Sequence, residues 1–94
     1  MLKDLKFQFL PEDQERLNRL CGPVNSTLRQ IEDTLEIKIS NRGPNFKLKG
    51  DDSGLEAGKM VLFNLYKRSQ RQGIISPEEV HLYLSEAINN SEQQ

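Results

Sequence analysis

The chain has 94 residues, a net charge of −1, 35% hydrophobic residues and 29% charged residues. This length and composition are typical of one small globular domain, and they exclude a long disordered chain and a deep active site between two lobes. The single cysteine, Cys21, excludes an internal disulfide and a multi-cysteine zinc site, and no apolar run reaches the roughly 18 residues of a membrane span.

The N-terminal part of the chain predicts a strand followed by a helix. Residues 5–9 alternate between apolar and polar side chains, which is the pattern of a half-buried strand. We expect the helix to open at Pro11, because proline fits the first helical position. Leu17 and Leu20 would form its core face, and the Gly22-Pro23 pair would end it.

The middle of the chain predicts a second helix and a β-hairpin. Apolar residues at steps of four, three and four give the helix one apolar stripe over residues 24–35. Either Asn25 or Ser26 is expected to supply its N-cap. Two further alternating segments, 36–40 and 46–49, predict strands, and the residues between them predict a five-residue connection.

The last third of the chain predicts two helices. The first covers about residues 55–70 and is expected to stop at Gly73. The second begins after Ser76, a capping residue followed by Pro77 at the first helical position. Residues 89–94 are polar and predict a linker or a frayed end.

These elements predict an α+β fold of order β-α-α-β-β-α-α over residues 1–88. Alternating strands cannot bury both faces, so the helices should pack on one face of a three-stranded sheet and leave the other face in water. The open face should be basic, because the segment from 37 to 50 has four basic residues and no acidic one. A nearly neutral chain can therefore carry a basic sheet face.

Two features are candidate nucleic-acid contacts, and each has a structural alternative. The first is the break between the first two helices, where the N–H groups of a helix start attract phosphate. Gly-Pro can also simply turn the chain, and Pro23 removes one donor. The second is the basic strand face, whose lysines can also serve only to deter edge pairing. The candidate nucleic-acid-binding residues are Gly22, Pro23, Val24, Asn25, Ser26, Arg29, Lys38, Arg42, Lys47 and Lys49.

The segment from Leu20 to Gly50 resembles the K-homology (KH) nucleic-acid-binding unit. It contains a helix end, a glycine-containing break, an amphipathic helix and two strands in the KH order. KH domains carry Gly-x-x-Gly at the break, whereas this chain has Gly22-Pro23-Val24-Asn25. The resemblance implies a KH-like fold in which the break and the neighbouring strand hold single-stranded RNA.

Nearly the whole chain, about residues 5–88, resembles the N-terminal domain of the PhoH-like ATPases, a bacterial family. The resemblance is carried by Leu20-Cys21-Gly22-Pro23, Leu28-Arg29-Gln30-Ile31-Glu32, Arg42-Gly43, Leu65-Tyr66 and the segment from Ile75 to Leu82. In that family the domain precedes a P-loop ATPase domain, so the resemblance implies a fragment whose residues 89–94 lead toward an absent ATPase domain.

The same resemblance implies cofactors, partners and location. The full-length protein would bind ATP and Mg, whereas this fragment would need no cofactor. The partners would be single-stranded RNA, the ATPase domain of the same protein and a ribonuclease, with no membrane and with oligomers through the full-length protein. The resemblance also implies a bacterial, cytoplasmic protein connected with phosphate starvation and RNA metabolism.

The sequence therefore predicts an RNA-binding accessory domain of a PhoH-like ATP-binding protein. An independent enzyme is not expected, because the chain has no P-loop motif and no constellation of catalytic residues. The alternative is a protein-interaction or oligomerisation module that keeps the KH-like scaffold and binds no nucleic acid. The near-neutral charge and the single glycine at the break favour that alternative.

Overall fold

The computed structural model describes residues 2–10, 13–22, 25–70 and 75–92 of the protein. Over these residues the elements are β1 (Lys3–Gln8), α1 (Gln14–Cys21), α2 (Ser26–Leu35), β2 (Lys38–Arg42), β3 (Asn45–Gly50), α3 (Asp52–Arg68) and α4 (Pro77–Glu92). The strand order in the sheet is β1-β3-β2, and both neighbouring pairs are antiparallel. The predicted α+β fold class and the predicted element order are confirmed.

One face of the sheet is open to solvent, as the alternating pattern predicts. Lys6, Lys38 and Lys47 are exposed on this face. The alternate residues of β3, Phe46 and Leu48, are only 2% and 0% exposed and belong to the core. Because successive side chains of a strand point to opposite faces, this register places the basic residues and the core residues on opposite sides.

The helices cover the other face of the sheet. α3 contacts β3, α2 contacts β2, and α4 packs against α2 and α3. The core between these layers is rich in aromatic rings: the Phe9 ring stacks on the Tyr66 ring at 4.5 Å and meets the Phe46 ring edge-on at 5.0 Å. The ring contacts join the end of β1, the middle of the sheet and the C-terminal part of α3.

Ile37 is buried at a place where three glycine residues leave room for it. A Cβ atom at Gly50 or at Gly54 would lie 2.8 Å from Ile37 Cγ2, and a Cβ atom at Gly58 would lie 2.7 Å from Ile37 Cδ1. Carbon atoms in favourable contact are about 3.5–4.0 Å apart. The end of β3 and the N-terminal half of α3 therefore approach Ile37 with their backbones, because no side chain stands between them.

Arg16 is buried against the C-terminal end of α3. Its guanidinium donates to the Tyr66 carbonyl at 2.7 Å and to Ser69 Oγ at 3.4 Å, and it lies 3.9 Å above the Tyr66 ring. Arg19 donates to the Ser69 carbonyl at 3.0 Å. The last carbonyls of a helix lack intrahelical partners and carry partial negative charge. The two arginines satisfy them and attach α1 to α3.

The connection between β2 and β3 is shorter than predicted. Arg42 pairs with Asn45, so the turn consists of Gly43-Pro44 rather than five residues. Gly43 has φ 58°, the positive sign that two-residue hairpin turns need at their first position. The strand predicted over 36–40 is therefore displaced to Lys38–Arg42.

Two helix boundaries differ from the prediction. The Asp13 carboxylate accepts hydrogen bonds from the N–H groups two and three residues on, so Asp13 is the N-cap and α1 begins at Gln14. Pro11, the predicted first residue, lies outside the described residues. α4 continues to Glu92, where a polar linker was predicted. A helix anchored by packing extends cooperatively until a breaker stops it.

The third helix starts earlier than predicted and ends earlier. α3 begins at Asp52 rather than near 55 and ends at Arg68 rather than near 70. The predicted stop at Gly73 lies outside the described residues. The predicted start of α4 is confirmed, because the Glu79 N–H donates to Ser76 Oγ at 3.2 Å.

The glycine contact with Ile37 predicts that Gly58→Ala destabilises the fold. Crowding in a packed core costs about 1–3 kcal/mol, whereas alanine improves helix propensity by about 1 kcal/mol. We therefore expect the free energy of unfolding to fall by up to about 2 kcal/mol, measured by urea denaturation. Ser53→Ala, an exposed change in the first turn of the same helix, is the control and should have little effect.

The double variant Gly58→Ala with Ile37→Val tests the contact itself. Valine lacks the Cδ1 atom that the new Cβ would meet, so the two changes together should cost less than the sum of their separate costs. Strictly additive costs of the two changes would contradict the contact.

Candidate nucleic-acid interface

The break between α1 and α2 requires glycine at its first residue. Gly22 has φ 76°, and its N–H donates to the Asn18 carbonyl at 3.1 Å, which closes the end of α1. A Cβ atom here would lie 2.7 Å from Thr27 Oγ1. Both the backbone conformation and the lack of space therefore favour glycine. The predicted site residues Pro23 and Val24 lie outside the described residues.

Asn25 occupies the N-cap position of α2 without capping it. Its backbone is left-handed, with φ 58° and ψ 30°, and its side chain makes no capping hydrogen bond. The predicted N-cap position at Asn25 is confirmed, but its side chain makes no capping bond, because capping side chains need an extended backbone at that position. Ser26 is the first residue of the helix. The Asn25 amide is instead exposed beside the break.

The N-terminus of α2 has no acidic residue in its first turn. The first turns of the other helices contain acids, such as Glu15 in α1, Asp52 in α3 and Glu78 in α4. The positive end of the α2 dipole is therefore not compensated by a carboxylate of its own first turn. Arg29, a predicted site residue, is exposed in the next turn.

A cleft of about 640 Å³ lies between this break and the β2–β3 turn. Amide side chains from α1, from the start of α2 and from β2 line it. In α1, Gln14 Nε2 donates to Asn18 Oδ1 at 3.0 Å, and in β2, Asn41 Nδ2 donates to the Gly43 carbonyl at 3.4 Å. Primary amides both donate and accept hydrogen bonds. The cleft is lined by Gln14, Leu17, Asn18, Arg19, Cys21, Gly22, Asn25, Asn41, Gly43 and Ile75.

The basic strand residues of the predicted site lie on a different surface from the cleft. Arg42 and Lys47 line a separate depression of about 580 Å³ on the sheet near the hairpin, and Asn41 is the residue it shares with the cleft. Lys38 and Lys49 pair with each other at the other end of the strands. At a rise of about 3.3 Å per residue, this pair is about 13 Å from Arg42.

An acidic residue reduces the charge of this sheet face. Asp4 Oδ2 lies 3.8 Å from Lys47 Nζ, and both side chains are 47% exposed. An exposed pair of this kind contributes little stability. The Asp4 carboxylate does lie among the basic side chains that were predicted to bind phosphate.

The sequence did not reveal several residues that build the cleft. Gln14 and Asn18 are four residues apart, so their common helix face was a usable signal. Glu32 gave no signal: its Oε2 accepts from the Ile39 N–H at 2.8 Å, and its carbonyl accepts from the Ile37 N–H at 3.2 Å. This contact ties α2 to β2 beside the cleft.

Two further findings concern other ligands. The described side chains contain no group of three or more His, Cys, Asp or Glu placed to hold a metal ion. Within the part of the chain that the structure describes, no helix has the length and apolar character needed to cross a membrane.

The fold resembles that of a solved archaeal protein, whereas no protein-family model matches the chain. The structure of Dim2p from Pyrococcus horikoshii OT3 superposes with a TM-score of 0.72 at 17% sequence identity and covers 90% of this chain. The chain spans about half the length of that neighbour, 49%. At this identity the likeness shows the fold alone, which is α+β and KH-like. The PhoH-like resemblance stays a prediction.

We expect the thiol of Cys21, at the wall of the cleft, to have low reactivity. Burial raises the pKa of the Cys21 thiol above its ordinary value, and the thiolate is the reactive form. Iodoacetamide at pH 8 should therefore modify the native protein much more slowly than the urea-unfolded chain, as followed by intact mass. Equal rates would contradict this burial.

The same shift predicts the sign of a pH effect on stability. The unfolded chain ionises at the ordinary pKa of 9.0, below the folded pKa. The contribution of Cys21 is therefore fully present below pH 9 and is lost as the pH rises further. In urea denaturation, the free energy of unfolding of Cys21→Ala should therefore fall less above pH 9 than that of the wild type. An equal fall in both proteins would contradict the prediction.

Proposed function

We propose that the protein is a single-stranded RNA-binding domain whose ligand lies in the cleft between the α1–α2 break and the β2–β3 turn. The observation that carries the proposal is the combination of an uncompensated helix start with amide side chains around one cleft. Helix starts attract phosphate, and amides can pair with base edges, so this cleft offers both kinds of contact that single-stranded RNA needs.

In this proposal a phosphate lies at the start of α2. The Gly22 and Asn25 N–H groups already donate within the break, so the backbone donors would be those of the first turn of α2, beginning at Ser26. The Asn25 amide can add a side-chain donor. Arg29 supplies a positive charge one turn further along the exposed side of the helix. The KH-like fold supports this assignment, because KH domains clamp the backbone of four nucleotides at the corresponding break.

The bases would face the amides on α1 and on the hairpin. Asn18 and Asn41 line the cleft from opposite sides, and Arg42 next to the turn can contact a phosphate at the rim. The more distant lysines, Lys38, Lys47 and Lys49, would add a longer-range attraction that depends on salt.

We further propose, from the resemblance over residues 5–88, that this domain delivers RNA to the ATPase domain of a PhoH-like protein. The full-length protein would bind ATP and Mg, act in the bacterial cytoplasm and cooperate with a ribonuclease. This fragment would itself be no enzyme and would need no cofactor.

The second candidate is a protein-interaction module that binds no nucleic acid. Asn25 in place of a second glycine favours it, because a side chain limits how closely a phosphate backbone can approach. The ion pair of Asp4 with Lys47 also favours it, since it weakens the basic face.

The decisive experiment uses Asn25→Asp and fluorescence anisotropy of a short single-stranded RNA. Aspartate has nearly the same size, tolerates the left-handed backbone and places a negative charge at the cleft. We expect roughly tenfold weaker binding, since one repulsive contact of about 1.4 kcal/mol changes affinity tenfold. Asn64→Asp, which adds the same charge on α3 away from the cleft, is the matched control and should bind as the wild type.

A second series separates the cleft from the open sheet face. Arg42→Ala should weaken RNA binding more than Lys38→Ala, and Lys67→Ala on α3 should change it least. Wild-type affinity should fall steeply between about 50 and 200 mM salt. No binding at low salt would overturn the RNA proposal and favour the protein-interaction module. If the wild type and Asn25→Asp bind RNA with equal affinity, the RNA does not lie in the cleft.

A further inference from the structure

The two edges of the sheet are not equivalent, because the β2 edge is closed by Glu32. The Ile39 N–H donates to the Glu32 carboxylate at 2.8 Å, and the Ile37 N–H donates to the Glu32 carbonyl at 3.2 Å. The outward N–H groups of Ile37 and Ile39 are therefore already used, and α2 contacts β2. An additional strand cannot pair here without displacing these bonds.

The β1 edge has the opposite character. The Phe9 N–H donates to the Pro44 carbonyl at 3.0 Å, which continues the antiparallel register of β1 with β3. In such a ladder alternate residues bond to the neighbouring strand. Leu5 and Phe7 therefore bond to β3, and the N–H and C=O groups of Asp4, Lys6 and Gln8 point away from the sheet. None of the described residues donates to or accepts from them.

The charges on this edge are arranged to complement a second copy of the same strand. On the open face Lys6 lies directly opposite Lys47, a like-charged pair that is unfavourable. Among the described side chains no carboxylate pairs with Lys6, whereas Asp4 lies two residues away on the same face. One acid and one base thus stand at adjacent outward positions of the free edge.

We propose that β1 pairs antiparallel with β1 of a second copy, with Leu5 on the twofold axis. In this register Asp4 of each copy faces Lys6 of the other, and the outward N–H and C=O groups of both residues bond across the axis. The neighbouring registers place Lys6 on Lys6 or Asp4 on Asp4. The charge pattern therefore selects one pairing, which forms a six-stranded sheet.

Apolar surface beneath the β1 edge supports this pairing. A groove of about 960 Å³ runs between β1 and α3. Its apolar lining residues are Leu5, Leu55, Met60 and Phe63, and polar or charged residues, among them Lys3, Asp52 and Glu56, complete the lining. Met60 is 38% exposed, and Leu5 and Phe63 are half-buried. Because the two Leu5 residues meet at the axis, the second copy covers this groove and adds apolar burial to the strand pairing.

A charge-swap series tests the pairing by sedimentation equilibrium of the protein without RNA. Asp4→Lys and Lys6→Glu each place like charges across the axis at two symmetric positions. Each should raise the dimer dissociation constant roughly tenfold or more. The double variant Asp4→Lys with Lys6→Glu restores opposite charges and should restore wild-type dimerisation. Lys38→Glu, the same charge change on β2, is the matched control and should leave the dimer unchanged.

Each outcome decides the proposal. A wild-type protein that stays monomeric at millimolar concentration overturns it, and so does a double variant as weak as the single variants. Because RNA is absent, these results are independent of the proposed function. A protein that dimerises without binding RNA would support only the dimer, and a monomer that binds RNA would support only the proposed function.

Amide hydrogen exchange maps the interface residue by residue. The N–H groups of Asp4 and Lys6 should exchange rapidly in dilute solution and become protected as the protein concentration rises. The N–H groups of Leu5 and Phe7, which bond to β3, should be protected at both concentrations. Concentration-dependent protection elsewhere, with the Asp4 and Lys6 amides unprotected, would place the dimer on another surface and overturn the proposal.

Discussion

The contact of Ile37 with the glycine surface of α3 determines where β2 can lie. The residues that follow Ile37 form the strand and then the Gly43-Pro44 turn, so this contact also places one wall of the cleft. The other wall, α1, is attached by Arg16 to the opposite end of α3. One helix therefore supports both walls, and the width of the cleft depends on the length and straightness of α3.

The general architecture could be predicted from the sequence because it depends on local patterns. Alternation in the strands identified the solvent face, and Lys6, Lys38 and Lys47 lie on it as expected. The cap at Ser76 and the stripe of α2 are likewise short-range signals. These features need no knowledge of which elements become neighbours, and the structure confirms them.

The arrangement of the candidate site could not be predicted, because it depends on contacts between distant parts of the chain. Sequence reasoning placed the break and the basic strands on two sides of one site, whereas Gly22 lines the cleft and Lys47 lines the sheet face. The left-handed backbone of Asn25 could not be predicted either, since asparagine is also a preferred residue at ordinary N-caps with an extended backbone. Arg16 can bind the last carbonyls of α3 only because α3 ends beside α1, and no local sequence pattern predicts that these two helices are neighbours.

The hydrogen bonds of Glu32 along β2 also limit how large an assembly can become. A sheet with two open edges can add strands without end, which is how fibrils grow. Here Glu32 of α2 accepts from outward N–H groups of the β2 edge, so a new strand pairs more readily beside β1. Growth by strand addition is therefore favoured for a single step only, because each outer edge of the product carries the same hydrogen bonds to Glu32.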